Sequence, residues 1–150
     1  MISDESAMRL ALGQARLGGS RGEVPVGAVI VHEGKVVAAA HNRPIAESDA
    51  TSHAEVLAIR AACHQLHAYR LAGAKLYVTL EPCVMCLGAA INARLDRLLF
   101  GAWDEKAGAA GSVYDIGRDG RLNHRIEIRG GVMESECAEL MREFFRRLRT

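Results

Sequence analysis

The stretch LYVTLEPCVMC, residues 76–86, carries an apolar run straight into a proline and two cysteines three positions apart. Leu76 to Leu80 has the length and composition of a buried strand. The Pro-Cys-x-x-Cys that follows reads as the opening of a helix over 82–94, with Pro82 at a first-turn position where its missing N–H costs nothing. On such a helix Cys83 and Cys86 share a face, and the partial positive charge of the N-terminus favours their thiolate forms. A redox dithiol, half of a structural zinc knuckle and part of a catalytic metal site all fit this stretch. Each predicts different partners elsewhere in the chain.

Outward from that strand the pattern alternates. Met8, Ala11, Leu12 and Ala15 repeat at helical spacing behind Ser3 as a candidate N-cap and before Gly18-Gly19, which predicts a helix over 4–17. VPVGAVIV (24–31) and VVAAA (36–40) flank a tight connection containing Gly34 and predict a hairpin, its first strand apolar throughout and therefore central. Asn42-Arg43-Pro44 reads as a turn. Ala54, Leu57, Ala58, Ala61 and Ala62 mark a helix from Thr51 or Ser52 to about His67. RLLFGAW (97–103) and RIEIRGG (125–131) are further strands, and Glu134 to Arg149 closes the chain as a helix. Strands interleaved with helices predict an α/β fold, a three-layer α/β/α sandwich on a five-stranded mixed sheet.

At 150 residues, 49% hydrophobic and 25% charged, the chain suffices for one substantial core, so a single domain over 1–150 is expected. No apolar run reaches membrane-spanning length and the N-terminal segment begins acidic, so neither a membrane span nor a signal peptide is expected. The expected location is the cytoplasm. Four cysteines are few for a secreted disulfide scaffold, and in a reducing compartment a CxxC pair is metal-binding or catalytic more often than structural. A formal net charge of +1 carries no global nucleic-acid signal, so any such contact must be local.

The segment Thr51-Ser-His-Ala-Glu55 weighs among these readings. His53 and Glu55 would point in roughly opposite directions from a helix side, so they converge only if the helix meets a site end-on. A strand-loop-helix unit does aim its helix N-terminus at the crevice beyond the strand's carboxyl end. Two such helices would bring the nitrogen of His53 to the sulfurs of Cys83 and Cys86, and three protein ligands leave one tetrahedral position open, as in catalytic zinc sites. Glu55 would then stand beside the metal. The plainer readings are a capping box Ser52-x-x-Glu55, a solvated first-turn histidine and a CxxC packed in the core. A redox dithiol leaves the His-x-Glu unexplained.

His53-Ala-Glu55 together with Pro82-Cys83-Val-Met-Cys86 resembles the signature of the zinc-dependent nucleobase deaminases, whose fold is cytidine deaminase-like. Within that superfamily the chain resembles the bacterial tRNA adenosine deaminases almost end to end. The likeness covers EVPVGAVIV, Asn42-Arg43-Pro44-Ile45, SHAE, YRL, LYVTLEPCVMC with Gly88-Ala89, FGAWDEKAGAAGS, Asn123-His124-Arg125 and ECAELMREFFRR. The resemblance implies hydrolytic deamination of adenosine to inosine at the wobble position of a tRNA anticodon, usually that of an arginine tRNA. It implies one Zn2+ per subunit on His53, Cys83 and Cys86, activating water at neutral pH, with Glu55 as proton shuttle. It further implies that Asn42 hydrogen-bonds the flipped base and that the Ala54 backbone N–H faces the reacting oxygen. Asp104, Lys106, Phe144, Phe145 and Arg146 would lie beside the anticodon, and the subunits would form a homodimer.

Three positions depart from the family pattern: Ala50 where proline is usual, Trp103 where arginine is common, and Ala107 where threonine is common. Trp103 removes a candidate phosphate contact and offers a stacking surface instead. The arginines near the C-terminus also have a plainer role, complementing the dipole of a helix that starts with Glu134, Glu136 and Glu139. A guanine or cytosine deaminase of the same fold would keep the zinc constellation and lack the anticodon-facing blocks. A non-catalytic zinc module would have no need of Glu55.

Overall fold

Three strands alternate their side chains between two faces, and each face acquires its own helices. The computed structural model describes residues 1–149, in the order α1 (Asp4–Ser20), β1 (Gly27–His32), β2 (Lys35–His41), α2 (Pro44–Glu47), α3 (Ala54–Leu66), β3 (Ala74–Leu80), α4 (Val84–Asn92), β4 (Arg97–Ala102), a 3₁₀ turn (Ile116–Arg118), β5 (Glu127–Arg129) and α5 (Glu134–Leu148). Ala28 and Ile30 of β1, Leu76 and Val78 of β3, and Leu98 and Phe100 of β4 pack with Ala54, Ala58 and Ala62 of α3 and Leu87 and Ala90 of α4. The residues between them, Val29, Val31, Tyr77 and Leu99, face the other way onto Ala7, Met8, Ala11 and Leu12 of α1 and Cys137 of α5. The period of two in the strands thus yields two separate apolar layers, the expected three-layer sandwich.

The sheet order is β2-β1-β3-β4-β5. β1 is antiparallel to β2 and to β3, while β3, β4 and β5 run parallel. It follows that β2, β3 and β4 all point the same way. Their carboxyl ends, His41, Leu80 and Ala102, leave the sheet at one edge, and the segments after them frame one region of the surface. Among the described residues no helix is long and apolar enough to cross a membrane.

Several boundaries differ from expectation for local reasons. Ser3 is the N-cap of α1, its hydroxyl accepting from Ser6 N–H at 3.1 Å, but α1 runs on through Gly18-Gly19 to Ser20. There the helix lies so close to the sheet that a Cβ at Gly18 would touch the His41 ring. The hairpin turn is Glu33-Gly34, both with positive φ, as a two-residue connection between twisted strands requires. The turn after Asn42 contains a short helix, α2. β5 is three residues long instead of seven and forms an edge of the sheet. Pro82 lies outside its helix: α4 begins at Val84 with Cys83 as the N-cap.

Gly27 opens β1 directly beneath α1, where a Cβ would overlap the Ala11 carbonyl oxygen and crowd the Ala15 amide. Both are helix backbone and cannot step aside. Gly27→Ala is therefore expected to destabilise the protein by about 1–3 kcal/mol, as overpacking does. Urea unfolding measures it, and an unchanged midpoint would show that α1 is free to shift.

Candidate active site

The helix carrying His53 is set in place by the loop before it. His53 is itself the N-cap of α3, in extended backbone conformation, and makes no side-chain capping bond. The capping box expected from Ser52 and Glu55 is not formed, because the buried Ser52 hydroxyl donates to a Glu47 carboxylate oxygen at 2.8 Å. The first free amide of α3, Ala54 N–H, instead donates to Asn42 Oδ1 at 2.8 Å. Asn42 stands at the end of β2, its own N–H bonded to Val26 O. One side chain thus ties the end of the sheet to the start of α3. Glu55 follows in the first turn and is buried.

The second helix arrives from β3. Leu80 pairs with Ala102 of β4, and Cys83 caps α4 three residues later. Cys86 is fully buried and Cys83 half-buried. His53 Nδ1 lies 3.7 Å from Cys83 Sγ and 3.3 Å from Cys86 Sγ. All three ligand atoms are within 4.8 Å of one another, and this is the one such cluster among the described residues.

The donor set fits zinc. Tetrahedral coordination at about 2.3 Å for sulfur and about 2.0 Å for nitrogen puts nitrogen and sulfur about 3.5 Å apart, and the two observed separations straddle that value. The charge state agrees. Hydrogen bonds from Cys86 and then from His53 hold the Cys83 thiol down to about 3, so that it is a thiolate. Its hydrogen bond to that thiolate, and then burial, push the Cys86 thiol far up. The bond to Cys83 also raises His53 against the opposing effect of burial. A thiolate, a thiol and an imidazole crowded together, with protons shared among them, are ligands that a soft cation would displace protons from.

Burial, opposed by its own backbone N–H and by the His53 charge, pushes the Glu55 carboxyl up to about 7. A carboxyl that titrates near neutrality beside a metal-ligand cluster can both take and return a proton.

The residues expected to meet RNA are distributed unevenly. Lys106, Arg142, Phe145, Arg146, Arg149 and Met141 line one open cleft of about 670 Å³. Phe145 is exposed, whereas Phe144 is half-buried and lines a different cleft, between α1 and α5, with Arg16, Pro25 and Leu140. Their rings meet edge to face at 5.4 Å. Arg146 and Arg142 both bond Glu139, so the dipole-complementing arginines are also paired. Asp104 sits in the adjoining cleft beside Trp103, and its carboxylate accepts from Lys106 N–H at 3.0 Å and Ala107 N–H at 3.2 Å. Trp103 rests edge-on against Phe100 and donates from Nε1 to Glu134 at 3.3 Å.

Two buried carboxylates escaped the sequence reading. Glu23 accepts from Ile45 N–H at 3.2 Å and Ala46 N–H at 2.8 Å, fastening α2 next to Asn42. Glu81 accepts from Asp104, Ala110 and Ser112 amides and from the Ser112 hydroxyl. The available signal was an acidic residue set against an apolar strand and a proline in each case, EVPVG and TLEPC, positions where a solvated carboxylate has no room.

The MafB19-like deaminase family model matches residues 2–149. A tRNA-specific adenosine deaminase of Bacillus subtilis is 44% identical over 149 residues, covering 99% of this chain and 92% of that protein. A solved structure from work on A-to-I editing by tRNA:A34 deaminases at the wobble position superposes with a TM-score of 0.87 at 47% identity, covering 89% of this chain and 97% of the other. A guanine deaminase from Nitrosomonas europaea superposes at 0.80 with 25% identity, covering 96% and 85%. The fold is thus shared by both kinds of deaminase, and among these likenesses 44% identity over nearly the whole of both chains goes with the tRNA-specific enzyme. By its family model this chain is a MafB19-like deaminase, and by its relatives it belongs to the tRNA-specific adenosine deaminase family.

Proposed function

We propose that the protein is the tRNA adenosine deaminase that converts adenosine to inosine at the wobble position of an anticodon, that of an arginine tRNA in the first instance. It acts as one catalytic domain over 1–150, with one zinc per subunit, as a homodimer in the cytoplasm. The convergence of His53, Cys83 and Cys86 beside the buried Glu55 supports the deaminase chemistry, and the observation that carries the tRNA substrate is the 44% identity over nearly the whole chain to a tRNA-specific adenosine deaminase. A non-catalytic zinc module would have no use for a buried carboxyl poised near neutrality.

His53, Cys83 and Cys86 would hold the metal, with Asn42 tied to the start of α3 beside them; the Ala54 N–H, expected to face the reacting oxygen, is given instead to Asn42 Oδ1. Zinc bound there supplies Lewis acidity that brings the pKa of a water to about 7. Glu55 accepts a proton from the attacking water and passes it to purine N1 as oxygen adds at C6, then takes the remaining proton of that new hydroxyl and gives it to the amino group, which leaves as ammonia when the C6–N bond breaks and the C6 carbonyl forms. Adenosine and water thereby become inosine and ammonia. Asn42 has its Oδ1 engaged by Ala54 N–H, which turns its Nδ2 into the donor for an acceptor on the base. Lys106, Arg142 and Arg149, around the exposed Phe145, suit the phosphates and splayed bases of a single-stranded loop.

Cys83→Ser is expected to lose the metal, read by elemental analysis of the purified protein against one zinc per wild-type chain. Full metal content in that variant would remove Cys83 from the ligand set.

Glu55→Gln keeps the side chain's size while ending proton transfer. A folded, zinc-loaded protein with kcat lowered by at least about a hundredfold is expected in single-turnover assays. Turnover near that of wild type would exclude Glu55 as the shuttle.

An arginine tRNA anticodon stem-loop should yield inosine, while guanine, cytosine and free adenosine should be poor substrates, because contacts remote from the reacting base are missing. Binding should weaken with salt at a log-log slope of about −0.7 per phosphate neutralised. Truncation before Phe144 should raise KM with zinc retained. Efficient turnover of guanine, with none of the stem-loop, would replace this assignment by the guanine deaminase reading, whose fold the Nitrosomonas europaea enzyme shares.

A further inference from the structure

Residues 104–112 leave β4 without regular structure of their own, yet they carry Lys106 into the cationic cleft. Beside the loop's own backbone bonds, one buried side chain gathers its two ends. Glu81 is 2% exposed and accepts from Asp104 N–H at 2.9 Å with Oε1, from Ala110 N–H and Ser112 N–H, each at 3.0 Å, with Oε2, and from the Ser112 hydroxyl. The next residue joins in, since Pro82 O accepts from Ala109 N–H at 2.8 Å. A Cβ at Gly108 would overlap the Glu81 carboxyl group, so the loop closes over it at the one residue that leaves room.

These bonds form a relay. Glu81 fixes the Asp104 amide, and the Asp104 carboxylate in turn fixes the amides of Lys106 and Ala107. At its other end Glu81 immediately precedes Pro82 and the metal-ligating candidate Cys83. A buried carboxylate with four donors has no capacity left for substrate and lies inside the loop it organises. We propose that Glu81 is a positioning residue for substrate binding: it registers the loop bearing Lys106 against the start of α4, so that the RNA contact and the deamination centre keep a fixed separation. This rests on the tRNA deaminase reading and adds a specificity determinant to it.

Glu81→Gln replaces one acceptor oxygen with an NH2 group facing amide donors that cannot turn away. The expected result is a KM for the anticodon stem-loop raised about tenfold, the equivalent of one buried donor losing its partner. The kcat should stay within about threefold, with one zinc per chain retained. The salt slope should fall by about 0.7, one phosphate contact. Lys106→Ala should do the same, and the double variant should add little to either single one, because both remove the same contact.

Multiplying effects in the double variant, or an unchanged KM accompanied by a lower Tm, would overturn the proposal and leave Glu81 a purely structural anchor. If Glu81→Gln does not fold, Ser112→Ala carries the test, since it removes only the hydroxyl donor from a solvent-exposed residue. A KM raised about threefold at constant kcat supports the assignment. An unchanged KM overturns it. Wild-type protein silent on the stem-loop would instead defeat the tRNA reading and this proposal with it. The two failures are therefore distinguishable.

Discussion

The shared direction of β2, β3 and β4 is the constraint on which the site depends. Because β1 is antiparallel to both neighbours, the strands on either side of it deliver Asn42 and Glu81-Pro82-Cys83 to the same edge. The parallel pairing of β3 with β4 adds Trp103 and Asp104 there. α3 and α4 both start at that edge, and residues that would diverge on a helix side can converge at a helix start. Cys83 and His53 are both N-caps with extended backbones, so their side chains lie ahead of the helices that they open. A cap position normally goes to a residue that bonds the free amides. Here those positions hold two residues of the candidate metal cluster, and Asn42 takes over the amide of Ala54 from across the loop.

Two carboxylates buried at this edge show how surroundings divide their roles. Desolvation is the largest effect on each and raises both. For Glu55 it prevails, and the group reaches about 7. For Glu81 it is outweighed by the Ser112 hydroxyl and the amides of Asp104, Ser112 and Ala110, which together hold the carboxyl below its ordinary value. Hydrogen bonds to the charged form thus separate a carboxyl poised near neutrality from one held in its charged form there. The sign follows for stability as well. A depressed folded-state pKa stabilises at pH values above the ordinary carboxylate range and is lost as pH falls through it, so the Glu81 loop is anchored at neutral pH and weakened in acid.

What could be read in the sequence was what obeys a period or a spacing. The interleaving of strands with helices predicted the sandwich, and the pairing of His-x-Glu with Cys-x-x-Cys pointed to three candidate ligands that the fold does bring together. What could not be read depends on partners distant along the chain. Ser52-x-x-Glu55 has the spacing of a capping box, but Glu47 takes the hydroxyl. Pro82 has the look of a first helical residue, but its carbonyl serves the 104–112 loop and the helix waits until Val84. The adjacent phenylalanines of α5, both expected on one RNA-facing surface, divide between two clefts. Glu23 and Glu81 leave no periodic trace, because their bonds go to loop amides, and only their setting between an apolar strand and a proline marks them.

The near-zero net charge and the cationic cleft are compatible because charge here is organised locally. Arg142 and Arg146 share Glu139, and Arg147 bonds Glu143, all on the exposed face of α5. Such solvent-exposed pairs contribute little to stability, because water screens them and long side chains lose freedom to make them. For the same reason they cost little to rearrange. A phosphate arriving there would compete with Glu139 for guanidinium groups already held in place, and would gain more from them than a screened surface carboxylate does. Lys106 differs, since nothing on α5 holds it and its backbone is fixed through Asp104 and Glu81. The cleft therefore combines adaptable cations on a helix with one cation whose anchor runs back to the residue two places before Cys83.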